Sequence, residues 1–150
     1  MNEKFLEIIH TYSNKPIAVA VSGGVDSICL LHWLAELKMN ITALHVHHHL
    51  RTAADIEAEY VTNTCEKLNI PCHVFHWNHN NPQSGVEAAA RIARYNFMTE
   101  FCRENDIGIL MVAHQADDQI ETFLMNLGRG SGVNGLAAIR SVSYRDGIKI

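Results

Sequence analysis

Residues 22–27, with the sequence SGGVDS, combine residue types that suit the binding of an anion. Two adjacent glycines let the main chain turn tightly and approach a ligand closely, and the hydroxyl and carboxylate side chains around them can cap or line the start of a helix. The free N–H groups and positive dipole end of a helix start attract negative charge, and phosphate is the anion we expect. An ordinary capped turn between strand and helix is the alternative, and this segment alone does not decide between them.

Three better-known motifs do not fit this turn. A Walker phosphate loop requires a lysine after its glycines, and none follows Gly24. A nucleophile elbow requires glycine where Ala20 stands. The G-x-G-x-x-G pattern at residues 130–135 follows a predicted helix, whereas a dinucleotide-binding turn follows a strand, so we regard it as a chance match.

A second polar cluster, HQADD at residues 114–118, leads into a predicted helix. Asp118, Glu121 and Thr122 stand at spacings of three and four residues and so share one helix face. Carboxylates at a helix start can simply complement its dipole. Because Mg²⁺ prefers a few carboxylates with phosphate oxygens completing its shell, we favour a magnesium-linked role beside a bound triphosphate.

Basic side chains lie on one stripe of a long predicted helix, at Arg91 and Arg94 beside Tyr95. Glu87 precedes Arg91 by four residues, the favourable order for a surface ion pair, which is one interpretation. A phosphate clamp is the other, because guanidinium groups bind phosphate oxygens in a bidentate manner.

Histidines cluster after the second predicted strand, at positions 45, 47, 48 and 49. Strand alternation would place His45, His47 and His49 on one face, with no cysteine or carboxylate partner nearby. We therefore disfavour a zinc site. A histidine-lined nucleotide pocket or a polar strand end is the preferred interpretation.

Alternating strand and helix patterns position these clusters. Apolar runs predict strands at 17–21, 41–46, 73–77 and 107–113, and apolar periodicity predicts helices at 2–13, 28–37, from 52 to before Pro71, 85–105 and 117–127. Four βα units in series predict an α/β fold with a doubly wound, mostly parallel sheet that carries helices on both faces. Ligands of such sheets bind at the carboxyl ends of the strands, where the polar clusters would meet.

Composition limits the remaining possibilities. With 150 residues and 47% hydrophobic content, the chain predicts a single domain with one sizeable core. A net charge of −4 excludes a general nucleic-acid binder, although basic residues outnumber acidic ones after Arg129. Four dispersed cysteines without a leader predict a cytoplasmic protein with reduced thiols. No run of 18 uncharged apolar residues is present, so we expect no membrane span.

The ordered motifs resemble those of one family. The sequence S-G-G-x-D-S resembles the pyrophosphate loop (PP-loop) of the N-type ATP pyrophosphatases, and the later motifs resemble those of the tRNA(Ile)-lysidine synthetases within that superfamily. The later matches are H-x-L-R at 48–51, E-x-x-A-R-x-x-R-Y at 87–95, H-x-x-D-D-Q-x-E-T at 114–122 and a glycine-rich element at 127–136. Departures are Ala138-Ile139, where the family often has Gly-Met, and His49, where it often has glycine.

The resemblance implies an adenine nucleotide α hydrolase-like, Rossmann-like fold and a ligase that uses ATP and Mg²⁺. The wobble cytidine of an isoleucine tRNA with a CAU anticodon would be adenylated and then joined to lysine, which forms lysidine. The implied pyrophosphate-binding residues are Ser22, Gly23, Gly24, Val25, Asp26 and Ser27. The implied catalytic residues are Asp26, Arg91 and Asp118, and the implied metal-binding residues are Asp26, Asp118 and Glu121.

Other interpretations remain open. Family members continue into tRNA-binding regions beyond the ATP domain, so we expect residues 1–150 to be a single ATP-binding domain truncated at its carboxyl end. Another adenylating enzyme with a different acceptor, or a non-catalytic ATP-binding module, is the alternative function. Sulfur-transferring relatives use cysteine pairs, whose absence argues against thiolation. A homodimer is an open alternative for the assembly.

Overall fold

The structure is a computed structural model and describes residues 7, 9–49, 53–78, 85–113 and 142–150. Its strands are β1 (Ile17–Ala20), β2 (Ile41–His47), β3 (Cys72–His76), β4 (Leu110–Val112), β5 (Tyr144–Arg145) and β6 (Ile148–Lys149). Its helices are α1 (Val25–Glu36), α2 (Ala53–Leu68) and α3 (Val86–Glu104).

Four strands form one parallel sheet in the order β3-β2-β1-β4. In the register, Ala20 pairs with Leu44 and Val112, and His47 pairs with His76. β2 therefore extends three residues past the end of β1 at the carboxyl edge of the sheet. The predicted parallel arrangement is confirmed, and the structure adds the strand order, in which the chain steps outward from β1 to β2 and β3 before it returns to β4 on the other side of β1.

Strand side chains alternate between two cores, which explains why the strands are apolar on both faces. Ile17, Val19 and Val21 pack with α1 and α2 on one face. Ala18 and Leu44 pack with α3 on the opposite face. Helices thus cover both faces of the sheet, as the doubly wound prediction requires.

The helix predictions are partly confirmed. The spacing of Leu30, Leu31, Leu34 and Leu37 predicts the apolar stripe of α1, and the structure buries Leu31 and Leu34 completely. The apolar spacing of α3 predicts a core stripe of Val86, Ala90, Ala93, Phe97 and Phe101, which is wrong in part. The buried residues are Ala90, Tyr95, Met98, Thr99 and Cys102, and Phe97 and Phe101 are only partly buried. The stripe is rotated toward Tyr95, which packs in the same cluster as Ile148 of β6. The predicted helix at 117–127 lies outside the described residues.

The last described segment is a two-stranded antiparallel hairpin of β5 and β6. Lys149 forms an isolated parallel bridge with Ile109, immediately before β4. The sequence GIKI at 147–150 predicts a strand, which is confirmed at Ile148–Lys149, but it does not predict the hairpin. β4 is also shorter than the predicted strand at 107–113.

No helix among the described residues is long and apolar enough to cross a bilayer. α3 is the longest of them, with 19 residues, and it carries charged side chains along its length.

We expect Leu34→Ala to lower the free energy of unfolding by about 2–5 kcal/mol, because it removes a fully buried side chain from between α1 and the sheet. Urea unfolding of the variant measures this loss. Glu36→Ala, an exposed change on the same helix, should stay within about 0.5 kcal/mol of the parent chain. Equal losses in the two variants would contradict the packing described here.

Candidate functional site

The turn from β1 into α1 depends on the backbone of Gly23. Its φ of 91° lies in a region that side-chain-bearing residues rarely adopt. Gly24 has an extended conformation, with φ −70° and ψ 155°, and is the N-cap of α1. The chain therefore reverses direction in two residues and enters the helix directly, as the sequence predicted.

Two serine hydroxyls hold this turn from within. The buried Ser27 Oγ accepts a hydrogen bond from the backbone N–H of Ser22 at 3.1 Å and donates to the Gly24 carbonyl at 2.9 Å. Ser22 Oγ accepts from the Gly24 N–H at 3.3 Å and lies 3.2 Å from Ser27 Oγ. These hydroxyls are used to shape the turn, so the loop is organised before any ligand binds.

The start of α1 remains available to an anion. No side chain caps this helix end, and the first amides of a helix have no intrahelical acceptor. Ser22, Gly24 and Val25 are exposed, and Asp26 in the first turn is half-buried. The exposed amides and the positive helix end favour a phosphate group here.

A buried histidine connects β2 to the end of β1. Nδ1 of His45 lies 2.8 Å from the carbonyl oxygen of Val21, so this nitrogen carries the proton and donates it. Burial lowers the pKa of His45 and so favours the neutral ring, while the hydrogen bond to the Val21 carbonyl acts in the opposite direction. The contact fixes the position from which the glycine turn starts.

Three guanidinium groups surround the ring of Tyr95. The Cζ atoms of Arg91, Arg94 and Arg145 lie 5.6, 5.7 and 5.5 Å from the ring centroid. Burial lowers the pKa of Arg94, and the neighbouring charge of Arg91 acts in the same direction. Cations within about 6 Å of an aromatic ring are attracted to its face, but three positive groups so close together also favour an added anion.

A surface cavity of about 330 Å³ opens beside these arginines. It is lined by Arg91, Ile92, Tyr95, Ser143, Tyr144, Arg145 and Ile150. The predicted Glu87–Arg91 ion pair is not among the ion pairs of the described residues. The anion clamp at Arg91 and Arg94 therefore remains a prediction.

The predicted site residues fall into three groups. Residues 22–27 form the turn at the carboxyl end of β1 and the first residues of α1, as predicted. Arg91 and Arg94 lie together near the start of α3, which follows β3 along the chain. Asp118 and Glu121 lie outside the described residues, so their predicted roles remain predictions.

Arg145 is the site residue that the sequence did not single out. Its guanidinium group lies over the ring of Tyr95, a residue 50 positions earlier in the sequence. Its Nη2 donates a hydrogen bond to Asn96 Oδ1 at 2.6 Å. The only sequence feature that indicated a basic site in this part of the chain is the excess of basic residues after Arg129.

Comparisons with known proteins match the whole chain. The PP-loop domain family matches residues 1–150. The tRNA(Ile)-lysidine synthase of Orientia tsutsugamushi is 40% identical over 129 residues, which cover 83% of this chain and 29% of that protein. The enzyme of the same name from Wolbachia pipientis wMel is 41% identical, and the match covers 93% of this chain and 34% of that protein. The tRNA(Ile)-lysidine synthase of Zymomonas mobilis is 42% identical, and the match covers 93% of this chain and 42% of that protein.

Two solved structures share the fold. The U34-tRNA thiolase NcsA from Methanococcus maripaludis, with its 4Fe-4S cluster, aligns with a TM-score of 0.68 and 21% identity, covering 83% of this chain and 46% of its own. The NH3-dependent NAD synthetase from Campylobacter jejuni aligns with a TM-score of 0.59 and 16% identity. The alignment covers 85% of this chain and 57% of the synthetase chain. At these identities the comparison shows the fold alone. The chain spans between 29% and 42% of the length of the three sequence relatives above.

We expect Gly23→Ala to destabilise the fold by at least about 1 kcal/mol, because alanine at a φ of 91° is strained. Gly24→Ala is the matched control, since its backbone suits any residue and its new Cβ would lie 3.4 Å from Ser22 Oγ. Urea unfolding of both variants makes the comparison. Equal stabilities would show that the turn does not require a positive φ at position 23.

Proposed function

This chain belongs to the PP-loop domain family, and we propose that it is the ATP-binding catalytic part of a tRNA(Ile)-lysidine synthase. The observation that carries the proposal is the match to enzymes of that name at 40–42% identity across 83–93% of the chain. Because the chain spans at most 42% of those three proteins, the activity, substrates and partners of the whole enzyme are part of the proposal.

The loop of residues 22–27 is proposed to bind the β and γ phosphates of ATP. Its support is the uncapped start of α1, whose first amides have no intrahelical acceptor and whose positive end attracts anions. The serine hydroxyls hold this loop in place through bonds to its own backbone. The phosphates would therefore be bound mainly by main-chain N–H groups, which is the function that close backbone approach through glycine permits.

Mg²⁺ is proposed to accompany ATP, with Asp26, Asp118 and Glu121 as the carboxylates that hold the ion or its water shell. Of these, Asp26 is described, and it is a half-buried carboxylate in the first turn of α1, beside the proposed phosphate site. That donor suits Mg²⁺, which is commonly held by one or two carboxylates together with phosphate oxygens and water.

The proposed reaction has two steps. The C2 carbonyl oxygen of the wobble cytosine attacks the α phosphate of ATP and pyrophosphate leaves, after which the amine of lysine displaces AMP. No protein nucleophile is required, so the residues act by positioning the triphosphate and neutralising charge. The loop would hold the leaving pyrophosphate, while Arg91 would stabilise charge on the reacting phosphate or base.

Arg145 is proposed to contact the phosphate backbone of the tRNA. It lines the open cavity next to Arg91 and Tyr95, and it lies on the terminal hairpin rather than in the ATP loop. A guanidinium group at such a surface contributes sequence-independent affinity for nucleic acid. The net charge of −4 for the whole chain makes a localised basic site more important for tRNA.

Sulfur transfer, the activity in the name of one structural neighbour, is not favoured here. Cys65 and Cys72 are in hydrogen-bonding contact, and this contact lowers the pKa of Cys72 while raising that of Cys65. Cys72 begins β3, however, so the pair lies at the opposite end of the strands from residues 22–27. Cys102 is buried, which raises the pKa of its thiol to about 11. Neither of these positions suits a sulfur carrier beside the nucleotide, and the exposed Cys29 near the start of α1 is 36 residues from the next cysteine in the sequence.

AMP release from ATP and Mg²⁺ tests the proposal. We expect the chain to form AMP only when an isoleucine tRNA with a CAU anticodon is present, since the cytidine is the acceptor. An otherwise identical transcript with a different wobble base is the control. Release without tRNA, or equal release with both transcripts, would overturn the proposed acceptor.

Asp26→Asn should lower the rate of AMP formation by at least about tenfold while leaving the thermal unfolding midpoint nearly unchanged, because it removes one charge beside the triphosphate. Asp106→Asn, an exposed change after α3, is the matched control and should retain the parent rate. A parent-like rate for Asp26→Asn would contradict the proposed role.

Arg145→Ala should weaken tRNA binding at every ionic strength and reduce the slope of log K against log salt by about one unit, as expected for one lost phosphate contact. Filter binding between 50 and 200 mM salt, about the range in which such contacts are lost, makes the measurement. Arg103→Ala removes an exposed arginine from the other end of α3 and should leave the slope unchanged. Identical slopes for the two variants would reject the contact.

A further inference from the structure

Three histidines from two neighbouring strand ends meet at the carboxyl edge of the sheet. His47 ends β2, His76 ends β3 directly opposite it in the register, and His49 follows two residues after β2. One ring nitrogen from each can be chosen so that all three lie within 4.8 Å of one another. His76 is 29 positions from His47, so the histidine run of the sequence did not reveal it.

We propose that His47, His49 and His76 bind one Zn²⁺ ion, with the fourth coordination position left to water or a substrate atom. Imidazole is a good ligand for zinc, and sites with three histidine ligands and an open position are common for this metal. The proposal rests on the positions of the histidines and does not require the proposed function to be correct.

The distances are close to those of a coordinated ion. His49 Nε2 lies 3.0 Å from His76 Nδ1. Two nitrogens bound tetrahedrally to zinc at about 2.0–2.1 Å are separated by roughly 3.3 Å. The widest separation in the set, which is at most 4.8 Å, would need to shorten by up to about 1.5 Å. His49 and His76 are exposed, so rotation of their rings can provide this movement.

A carboxylate orients the buried member of the set. His47 is 3% exposed, and its Nε2 lies 2.8 Å from Asp55 Oδ1. Since a carboxylate accepts the Nε2–H, the lone pair of His47 is on Nδ1, which accepts the backbone N–H of His49 at 3.2 Å. Metal-bound histidines usually donate their second nitrogen to a carboxylate or carbonyl in this way. In the ion-bound form Nδ1 would bind zinc in place of the N–H group.

This contact corrects the sequence prediction that no carboxylate lies near the histidines. Asp55 is on α2, eight residues after His47, and the start of that helix brings it back to the end of β2. His45 also differs from the prediction, because its Nδ1 donates to Val21 and it takes no part in the set.

The backbone of His49 is unusual in a way that supports the site. Its φ is +52°, in the left-handed region. Four other residues that are not glycine have a φ within about four degrees of this value. Lys38, Asn69 and Asp106 follow helices and Asp146 lies in the β5–β6 turn, where this conformation is common. His49 follows β2 and lies in neither a helix end nor a turn, and its ring centroid is 3.9 Å from that of His47.

The test is zinc binding by the 150-residue chain, in a Cys29→Ser background that removes an exposed thiol as a competing ligand. We expect one Zn²⁺ per chain after gel filtration, measured by elemental analysis, and a rise in the thermal unfolding midpoint with added ZnCl₂. MgCl₂ at the same concentration should not compete, because Mg²⁺ prefers oxygen ligands.

Variants separate ligation from structure. His49→Gly suits the positive φ, so without metal it should be at least as stable as the parent, yet its zinc affinity should fall at least about tenfold. His76→Thr should lose affinity to a similar extent, and Asp55→Asn by roughly 10–100-fold. His73→Thr, the same substitution at another exposed position of β3, should bind zinc like the parent. Absence of stoichiometric zinc from the parent, or its retention by His49→Gly and His76→Thr, would overturn the proposal.

Discussion

The positive φ of Gly23 is the constraint on which the candidate site depends. It lets the main chain pass from β1 into α1 in two residues, so that the helix starts at the edge of the sheet without a side-chain cap. A residue with a Cβ would strain the turn and move the helix start. The serine hydroxyls then stabilise the turn internally, which leaves the helix amides for a ligand.

The parallel sheet explains why chemically different groups are found near one another. All four of its strands run in the same direction, so the segments that follow β1 and β2 leave from the same edge. His45 connects these two strand ends through the Val21 carbonyl, and the proposed zinc ligands continue along that edge onto β3. Burial of the sheet on both faces restricts polar residues to such edges.

Local sequence was sufficient to predict the turn and the sheet. Ile17, Val19 and the glycines that follow them specify a buried strand and a reversal within a few residues, and the structure agrees. Contacts between distant segments could not be predicted in the same way. Tyr95 was assigned to a polar stripe, but the hairpin that brings Arg145 to its ring also contributes Ile148 to the same buried cluster.

Histidine chemistry illustrates the same limit. Alternation along β2 correctly identified a histidine-rich strand end, but the contribution of His76 depends on strand register. The contact with Asp55 depends on where α2 begins. Periodicity within one segment contains neither piece of information. The acidic pair proposed for Mg²⁺, Asp118 and Glu121, lies outside the described residues and rests on the family resemblance.

Backbone amide NMR with a non-hydrolysable ATP analogue and Mg²⁺ tests the central claim most directly. We predict that the largest chemical shift changes occur at Gly23, Gly24, Val25 and Asp26, because these amides surround the uncapped start of α1. Amides at the opposite end of the strands, such as Cys72, should change little. Binding that leaves residues 23–26 unperturbed, with the main changes elsewhere, would contradict the assignment of this turn as the phosphate site.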